Sequence, residues 1–161
     1  MRKLETKTIY LILHNIRSAY NVGAIFRTAD AIGVKKIYLT GYTPAPLDRF
    51  GNPRKDIAKS ALGAEKTVPW EWSKNPSALV RKLKKEKIFV AGLEQSAKSV
   101  DYKKFRPGAR TVLLVGNEVL GISKQLQGNC DALIEIPMRG GKESLNVSVA
   151  AGVALYRLFD I

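Results

Sequence analysis

The sequence is poor in the residues that build metal sites and disulfides. Its 161 residues include one cysteine, Cys130, and one histidine, His14. One cysteine cannot form a disulfide within the chain, and this pair cannot supply the four ligands of a structural zinc site. We therefore expect neither a disulfide nor a metal. A chain of this length can bury most of its apolar surface without such cross-links.

Long hydrophobic runs and acidic side chains are also scarce. No apolar stretch approaches the ~20 residues of a transmembrane helix, and the charged N-terminal segment lacks the apolar core of a signal peptide. We therefore expect a cytoplasmic protein with no membrane partner. Asp and Glu number 14 against 27 Lys and Arg, a net charge of +13. This excess predicts attraction to a polyanion, usually nucleic acid, although a basic surface that serves only solubility is the alternative.

Short β-branched or apolar runs alternate with helical patterns along the chain. Strands are predicted at residues 8–13, 36–40, 67–69, 87–91, 111–115 and 132–136. Helices are predicted at 21–32, 54–61, 76–85 and 144–159, with a short turn near 123–126. Such alternation indicates an α/β fold with a mostly parallel sheet and helices on both faces. In the last helix Leu145, Val149, Val153 and Tyr156 share one face.

Residues 42–53 form a long predicted loop with three prolines. Connections of this length are often functional. The loop carries Arg49, and Arg54 and Lys55 follow it, so we expect this segment to contact RNA.

Three polar patches interrupt apolar stretches, at residues 21–27, 116–121 and 136–146. Burying such groups costs free energy unless each finds a hydrogen-bond partner. Folding alone does not account for them, and we predict that they meet in one composite pocket.

The glycine motifs of the common nucleotide-binding folds are missing. The segment after the first predicted strand has one glycine where a dinucleotide fold has three. Gly116 and Gly121 have the spacing of a phosphate loop, but Ile122 and Ser123 follow instead of Lys-Ser/Thr. Nothing near His14 completes a Ser-His-Asp set, which favours a packed or rim histidine over a catalyst.

In this order and at these distances, the patches resemble the motifs of the SpoU/TrmH branch of the SPOUT RNA methyltransferases. The segments that carry the resemblance are NVGAIFRTADAIGV (21–34), LLVGNEVLGIS (113–123), IPMRGGKESLNVSVAAGVALYR (136–157) and, in the central region, KSALGAEKTVPWE (59–71). The resemblance extends over residues 9–158, nearly the whole chain.

The resemblance implies a fold whose C-terminal third is threaded into a deep trefoil knot, an exception to the rule that chains avoid knots. It implies that loops of the knot hold S-adenosylmethionine and that the final helix contributes to a homodimer. Many members carry an added N-terminal RNA-binding domain. For this chain we expect one methyltransferase domain over residues 1–161, without a separate RNA-binding domain.

The resemblance also implies site residues. The implied catalytic set is Arg27, Asn21, Glu118, Ser144 and Asn146. The implied cofactor-binding set is Leu93, Gly116, Ile136, Met138, Ser144, Leu145 and Asn146, with Gly92 as the alternative to Leu93. Gly116 follows an apolar run, and we expect its backbone to approach a flat ligand such as adenine. The candidate RNA contacts are Arg17, Arg49, Arg54 and Lys55.

The central residues also have structural interpretations. Ser144 can cap the last helix, whereas Asn146 would lie inside it, where asparagine is disfavoured. Arg27 can pair with Asp30, three residues on. Glu118 can pair with a surface lysine.

The implied reaction is methyl transfer from S-adenosylmethionine to a ribose 2′-hydroxyl of tRNA or ribosomal RNA. We slightly favour tRNA, because a small dimer can embrace a compact substrate. A guanidinium keeps its proton in proteins, so we expect Arg27 to bridge the 2′-oxygen and the neighbouring phosphate rather than to act as a base. The alternatives are base methylation as in the TrmD branch, an RNA-binding protein of this fold without catalysis, and a Rossmann-type enzyme. The Asn21/Arg27 and Ser144/Asn146 pattern speaks against base methylation.

Overall fold

The computed structural model describes residues 6–161, which are organised around a parallel β-sheet. The strands are β1 (Thr8–His14), β2 (Lys36–Thr40), β3 (Trp70–Ser73), β4 (Phe89–Leu93), β5 (Val100–Asp101), β6 (Arg110–Val115) and β7 (Ala132–Glu135). The helices are α1 (Ala19–Ile32), α2 (Lys55–Ala61), α3 (Ala64–Thr67), α4 (Pro76–Lys85), α5 (Lys124–Asn129) and α6 (Val147–Leu158). The sheet order is β3-β2-β1-β6-β4-β7-β5, and all six pairings are parallel. The prediction of an α/β fold with a mostly parallel sheet is confirmed.

Helices cover both faces of this sheet. Side chains alternate between the two faces along each strand, so one strand contributes to two cores. Leu11 and Leu13 of β1 point into the larger core cluster, which also contains residues of α1, α2, α3 and α6. Ile12, between them, points into a second cluster with residues of α4 and α5. The two cores lie on opposite faces of the same strands.

The third predicted strand is misplaced in the sequence analysis. Residues 67–69 are not a strand: Thr67 ends α3, and β3 begins at Trp70. Pro69 cannot donate a hydrogen bond to a neighbouring strand, whereas Trp70 and Trp72 pair with Ile37 and Leu39 of β2 at the edge of the sheet. The two-residue strand β5 and the four-residue helix α3 were not predicted, because such short elements carry no periodic signal.

The last helix begins at Val147, three residues later than predicted. Asn146 therefore does not lie inside the helix but is its N-cap, and its side-chain oxygen accepts hydrogen bonds from the N–H groups of Ser148 and Val149. Ser144 precedes the helix and does not cap it. Both residues are favourable cap types, and the structure decides between them.

One face of α6 is exposed. The buried face consists of Val147, Ala151, Ala154, Leu155 and Leu158. On another face Val149, Val153 and Tyr156 are 50%, 36% and 44% exposed, and Leu145, which the sequence placed with them, precedes the helix and is 39% exposed. Residues 6–161 of a single chain thus leave an apolar stripe of this helix in contact with solvent.

Two further features concern membranes and metals. Within residues 6–161, no helix has the length and apolar character that crossing a membrane requires. The same part of the chain contains no cluster of three or more His, Cys, Asp or Glu residues able to bind a metal ion. His14 is half-buried, and its Nδ1 lies 2.9 Å from the hydroxyl of Thr40, as a packed rim histidine would.

Candidate active site

The segments that follow β1, β4, β6 and β7 meet at the carboxyl edge of the sheet. In open parallel sheets this edge is where ligands bind. The loop after β6 carries the second polar patch, and the loop between β7 and α6 carries the third. The N-terminus of α1, which follows β1, carries the first patch. All three polar patches therefore lie at this edge of the sheet.

A chain of side-chain hydrogen bonds joins the three patches. Asn146 Nδ2 donates to Asn21 Oδ1 at 3.3 Å, and Asn21 Nδ2 donates to Glu118 Oε1 at 3.4 Å. Asn146 Oδ1 already accepts from the α6 backbone, so the NH₂ group of Asn146 is the donor to Asn21 Oδ1. The NH₂ group of Asn21 is in turn the donor to Glu118. Asn21 is 7% exposed, so its polar groups depend on these partners.

Glu118 is placed at the N-terminus of α1. Its carboxylate accepts hydrogen bonds from the backbone N–H groups of Arg17 and Ser18, both at 3.1 Å. Burial raises the pKa of Glu118, but these N–H groups and the amide of Asn21 outweigh burial and hold the pKa below its ordinary value. A carboxylate at a helix N-terminus is also stabilised by the helix dipole. Glu118 therefore stays ionised, and among residues 6–161 it pairs with no lysine.

The loop after β6 is held in shape by Asn117. Its Oδ1 accepts from the N–H groups of Val119 and Leu120 at 2.9 and 2.8 Å, and its Nδ2 donates to the carbonyl of Asn15 and to Tyr42 Oη, both at 2.9 Å. Val119 and Leu120 are left 85% and 82% exposed at the tip of the loop. Asn117 thus links this loop to the ends of β1 and β2.

Gly116 is required by this loop. A Cβ on Gly116 would lie 2.6 Å from the carbonyl carbon of Gly121, so no larger residue fits while the loop closes. Gly121 has φ +66°, and a Cβ there would lie 2.1 Å from Glu94 Oε2. That same oxygen accepts from the N–H of Ile122 at 2.7 Å. The tight turn alone requires a glycine at position 116, whether or not a ligand approaches its backbone.

The segments after β4, β6 and β7 enclose a cavity of about 420 Å³, and the first polar patch, on α1, lies beside it rather than in its lining. Six of the seven residues proposed to bind a cofactor line it: Leu93, Gly116, Ile136, Met138, Ser144 and Leu145. Asn146 does not; it contributes to the hydrogen-bond chain beside the cavity instead. Gly92 does not line the cavity, and a Cβ on it would lie 2.9 Å from Leu133 and 3.0 Å from Cys130.

The cavity is acidic although the protein is strongly basic. Its lining includes four glutamates, Glu94, Glu118, Glu135 and Glu143, out of 14 acidic residues in a chain of net charge +13. Carboxylates gathered around apolar walls favour a ligand that is partly apolar and carries positive charge. Three residues that shape the site, Asn117, Glu94 and Tyr42, were not predicted from the sequence. Only the position of each of these residues after a predicted strand could have indicated them.

Arg27 lies outside this arrangement. It is exposed on α1, six residues and hence about 9 Å along the helix axis from Asn21. Within residues 6–161 its guanidinium makes no hydrogen bond or ion pair, so the alternative pairing with Asp30 is not formed. Asp30 instead accepts a hydrogen bond from Thr67 at 2.6 Å.

The proposed RNA contacts occupy the same edge of the sheet as the cavity or the loop next to it. Arg17 is exposed beside Glu118. Arg49 is exposed in the 42–54 loop, with its guanidinium 4.7 Å from the centre of the Phe50 ring. Arg54 forms a two-point ion pair with Asp56, at 3.1 and 2.5 Å, and Lys55 is exposed. Arg54 is therefore partly neutralised, while Arg17, Arg49 and Lys55 form no ion pair with any of residues 6–161.

Residues 8–156 match the model of the SpoU rRNA Methylase family. Among curated relatives, the 23S rRNA (guanosine-2′-O-)-methyltransferase RlmB of Neisseria meningitidis is 36% identical over 155 residues, which are 96% of this chain and 59% of the relative. The same enzyme of Coxiella burnetii is 34% identical, over 98% of this chain and 60% of the relative. The chain thus spans about three fifths of the length of these relatives.

Solved structures show the same similarity in three dimensions. A TrmH/SpoU tRNA modifying enzyme of A. aeolicus is 30% identical, with a TM-score of 0.83 over 96% of this chain and 75% of that one. An AdoMet-bound rRNA methyltransferase of Sinorhizobium meliloti is 29% identical, with a TM-score of 0.79 over 94% of this chain and 55% of that one.

Proposed function

This chain belongs to the SpoU rRNA methylase family, and we propose from this that it transfers a methyl group from S-adenosylmethionine to a ribose 2′-hydroxyl of RNA. The observation that carries the proposal is the hydrogen-bond chain Glu118–Asn21–Asn146, which ties the three family motifs together beside one cavity. In this proposal residues 8–156 act as a single methyltransferase domain.

The cavity fits the cofactor in size, polarity and charge. S-adenosylmethionine combines a flat adenine with a positively charged sulfonium and an ammonium group. The walls at Leu93, Ile136 and Met138 are apolar, and four glutamates line the same space. We assign Leu93, Gly116, Ile136, Met138, Ser144 and Leu145 to cofactor binding. When bound there, the cofactor supplies an activated methyl group.

The residues of the chain then have to align the ribose hydroxyl and stabilise its oxygen. Such alignment lowers barriers by up to ~7–11 kcal/mol in well-oriented systems. Glu118 remains ionised and orients Asn21, and Asn21 in turn orients Asn146. We assign Arg27 to the 2′-oxygen and the adjacent phosphate, where a fork of N–H donors stabilises developing negative charge. Ser144, at the rim of the cavity, completes the proposed catalytic set.

We propose that the active protein is a homodimer formed through the exposed face of α6. The apolar stripe of Val149, Val153 and Tyr156 is the surface that a second copy would cover. Arg27 precedes Thr28, which packs beside Gly152 of α6. A second copy on this face would come close to Arg27 and explains why Arg27 has no partner among residues 6–161. We therefore assign Arg27 of one copy to the cavity of the other.

The deep trefoil knot is also part of this proposal. Its support is the family resemblance, together with the fact that the loop after β6 and the passage from β7 to α6 line one cavity. A knot would hold these two passages against each other without a disulfide.

For the substrate, the curated relatives favour ribosomal RNA over tRNA. Two relatives at 34–36% identity are named for guanosine methylation of 23S rRNA, whereas the A. aeolicus structure is of a tRNA modifying enzyme. The chain's net charge of +13 suits either polyanion. Either RNA would place the reaction in the cytoplasm.

Transfer of labelled methyl groups from S-adenosylmethionine to unmodified total RNA tests the function, with Arg27→Ala alongside. Label in alkali-resistant 2′-O-methyl dinucleotides of ribosomal RNA, lost in the variant, is the expected result, and label in tRNA would reassign the substrate. Label in a methylated base would refute ribose methylation. A folded protein that binds RNA but not the cofactor in calorimetry would be a silent member of the fold.

A further inference from the structure

Tyr42, the second residue after β2, is exposed, and hydrogen bonds hold both its backbone and its side chain in place. The residue as a whole is 56% exposed. Its backbone N–H donates to Asn15 Oδ1 at 3.2 Å, and its hydroxyl accepts from Asn117 Nδ2 at 2.9 Å. Asn117 is itself 7% exposed and precedes Glu118. The ring therefore lies across the ends of β1 and β6, one residue from the proposed catalytic chain.

The backbone beside Tyr42 forms a tight turn that contains two left-handed residues. Asn15 has φ +56° and Gly41 has φ +62°, both in the left-handed region. A Cβ on Gly41 would lie 1.8 Å from Asn15 Oδ1, the atom that accepts from Tyr42. Trp72 Nε1 also donates to the carbonyl of Gly41, at 3.4 Å. Glycine and asparagine are the residues that adopt this region most readily, so the turn is unstrained, and its hydrogen bonds hold one exposed ring in place.

Positive charge lies on the same edge of the sheet. Arg17 is exposed beside Glu118, and the loop that Tyr42 begins carries Arg49, with Lys55 just beyond it. Proteins bind unpaired nucleotides with arginines and lysines near exposed aromatic rings. The cations contact the phosphates, and the bases stack on the rings. An apolar protein partner would not need this charge.

We propose that Tyr42 is a stacking platform for an unpaired RNA base next to the candidate active site. The proposal rests on the proposed function, because it names how that site would recognise its substrate. Stacking uses the face of the ring, whereas the hydroxyl only anchors it to Asn117. The two parts of the side chain can therefore be separated by substitution.

The first test uses a single-stranded 12-nucleotide RNA with one 2-aminopurine, whose fluorescence falls when it stacks. We expect quenching by the wild-type protein at low salt. Quenching should be lost in Tyr42→Ala and Tyr42→Leu, but kept in Tyr42→Phe. Lys82→Ala, which removes an exposed cation from α4, a helix that packs on the core of the other sheet face, is the control and should behave as the wild type. Unchanged quenching by Tyr42→Ala, or none by the wild type, would overturn the proposal.

The second test separates stacking from a purely structural role. Tyr42→Ala should raise the KM for RNA by about five- to 150-fold, as loss of one stacked base predicts, and leave the affinity for S-adenosylmethionine unchanged. If Tyr42 only held the 116–122 loop, Tyr42→Phe would be as damaging as Tyr42→Ala and both would weaken cofactor binding. Because the quenching test needs no catalysis, it stands even if no methyl transfer is found.

Discussion

The position of Glu118 at the N-terminus of α1 leads to a quantitative prediction for stability. Glu118→Ala removes three hydrogen bonds. The bond from Arg17 is exposed and competes with water, so it contributes little. The bonds from Ser18 and Asn21 are partly buried, and at roughly 1 kcal/mol each they predict a loss of about 2 kcal/mol. For a chain of this length that corresponds to a fall in Tm of about 4–8 °C.

Two further variants distinguish charge from side-chain packing. Glu118→Gln keeps an oxygen that can accept but removes the negative charge, and we expect a loss of about 1 kcal/mol. Glu143→Ala is the matched control, because Glu143 lines the same cavity but its hydrogen bond from Gln95 reaches the backbone carbonyl. It should stay within about 0.5 kcal/mol of the wild type.

The assay is urea unfolding at equal protein concentrations, since a dimer makes the midpoint depend on concentration. The effect should also depend on pH. The pKa of Glu118 is lowered from 4.5 in the folded protein, so its contribution is complete above pH 4.5 and is lost as the pH falls through the lower folded value. The difference between wild type and Glu118→Gln should shrink in that range. A loss below about 0.5 kcal/mol for Glu118→Ala, or an equal loss for Glu143→Ala, would refute the reasoning.

Three further predictions concern the dimer and its RNA. Heterodimers purified from co-expressed Arg27→Ala and Asn146→Ala chains should have about half the wild-type methyl transfer, because one of two sites is intact if Arg27 acts across the dimer; no activity would place both residues in one chain's site. Val153→Lys should give a monomer in sedimentation experiments, while Ala78→Lys, at an exposed position on α4, should not; a dimeric Val153→Lys would exclude the α6 face. RNA affinity should fall steeply with salt, by a factor set by the phosphates contacted, and a flat profile would contradict the basic surface.

The sheet could be predicted from the sequence wherever a run was both apolar and long. Strand β2 and helix α4 have the predicted bounds, because each combines a clear period with turn residues at its ends. The bounds of β3 were wrong because β-branched Thr67 and Val68 resemble a strand, and only packing shows that they end a helical turn. Propensity is a weak guide where tertiary contacts decide.

The sequence also predicts that the polar patches lie close together, but it does not predict which hydrogen bonds join them. Asparagine within an apolar stretch indicates a buried partner, and Asn21 has two. The sequence does not show that Asn146 caps α6, because Ser144 and Asn146 are both good caps and lie two residues apart. The role of Asn117 could not be predicted from the sequence, because its partners Tyr42 and Asn15 lie 75 and 102 residues away along the chain.

The residue that the family resemblance made central, Arg27, is the one that the folded chain explains least. Sequence spacing placed it on α1 correctly, but spacing cannot tell whether a side chain acts within its own chain. The same ambiguity affects the apolar stripe on α6, since periodicity shows which residues share a face but not what covers it. In the proposed homodimer, a second copy would cover this face and supply the cavity that Arg27 serves. The site would then be complete only in the dimer, and its affinity for RNA and its stability should both depend on protein concentration.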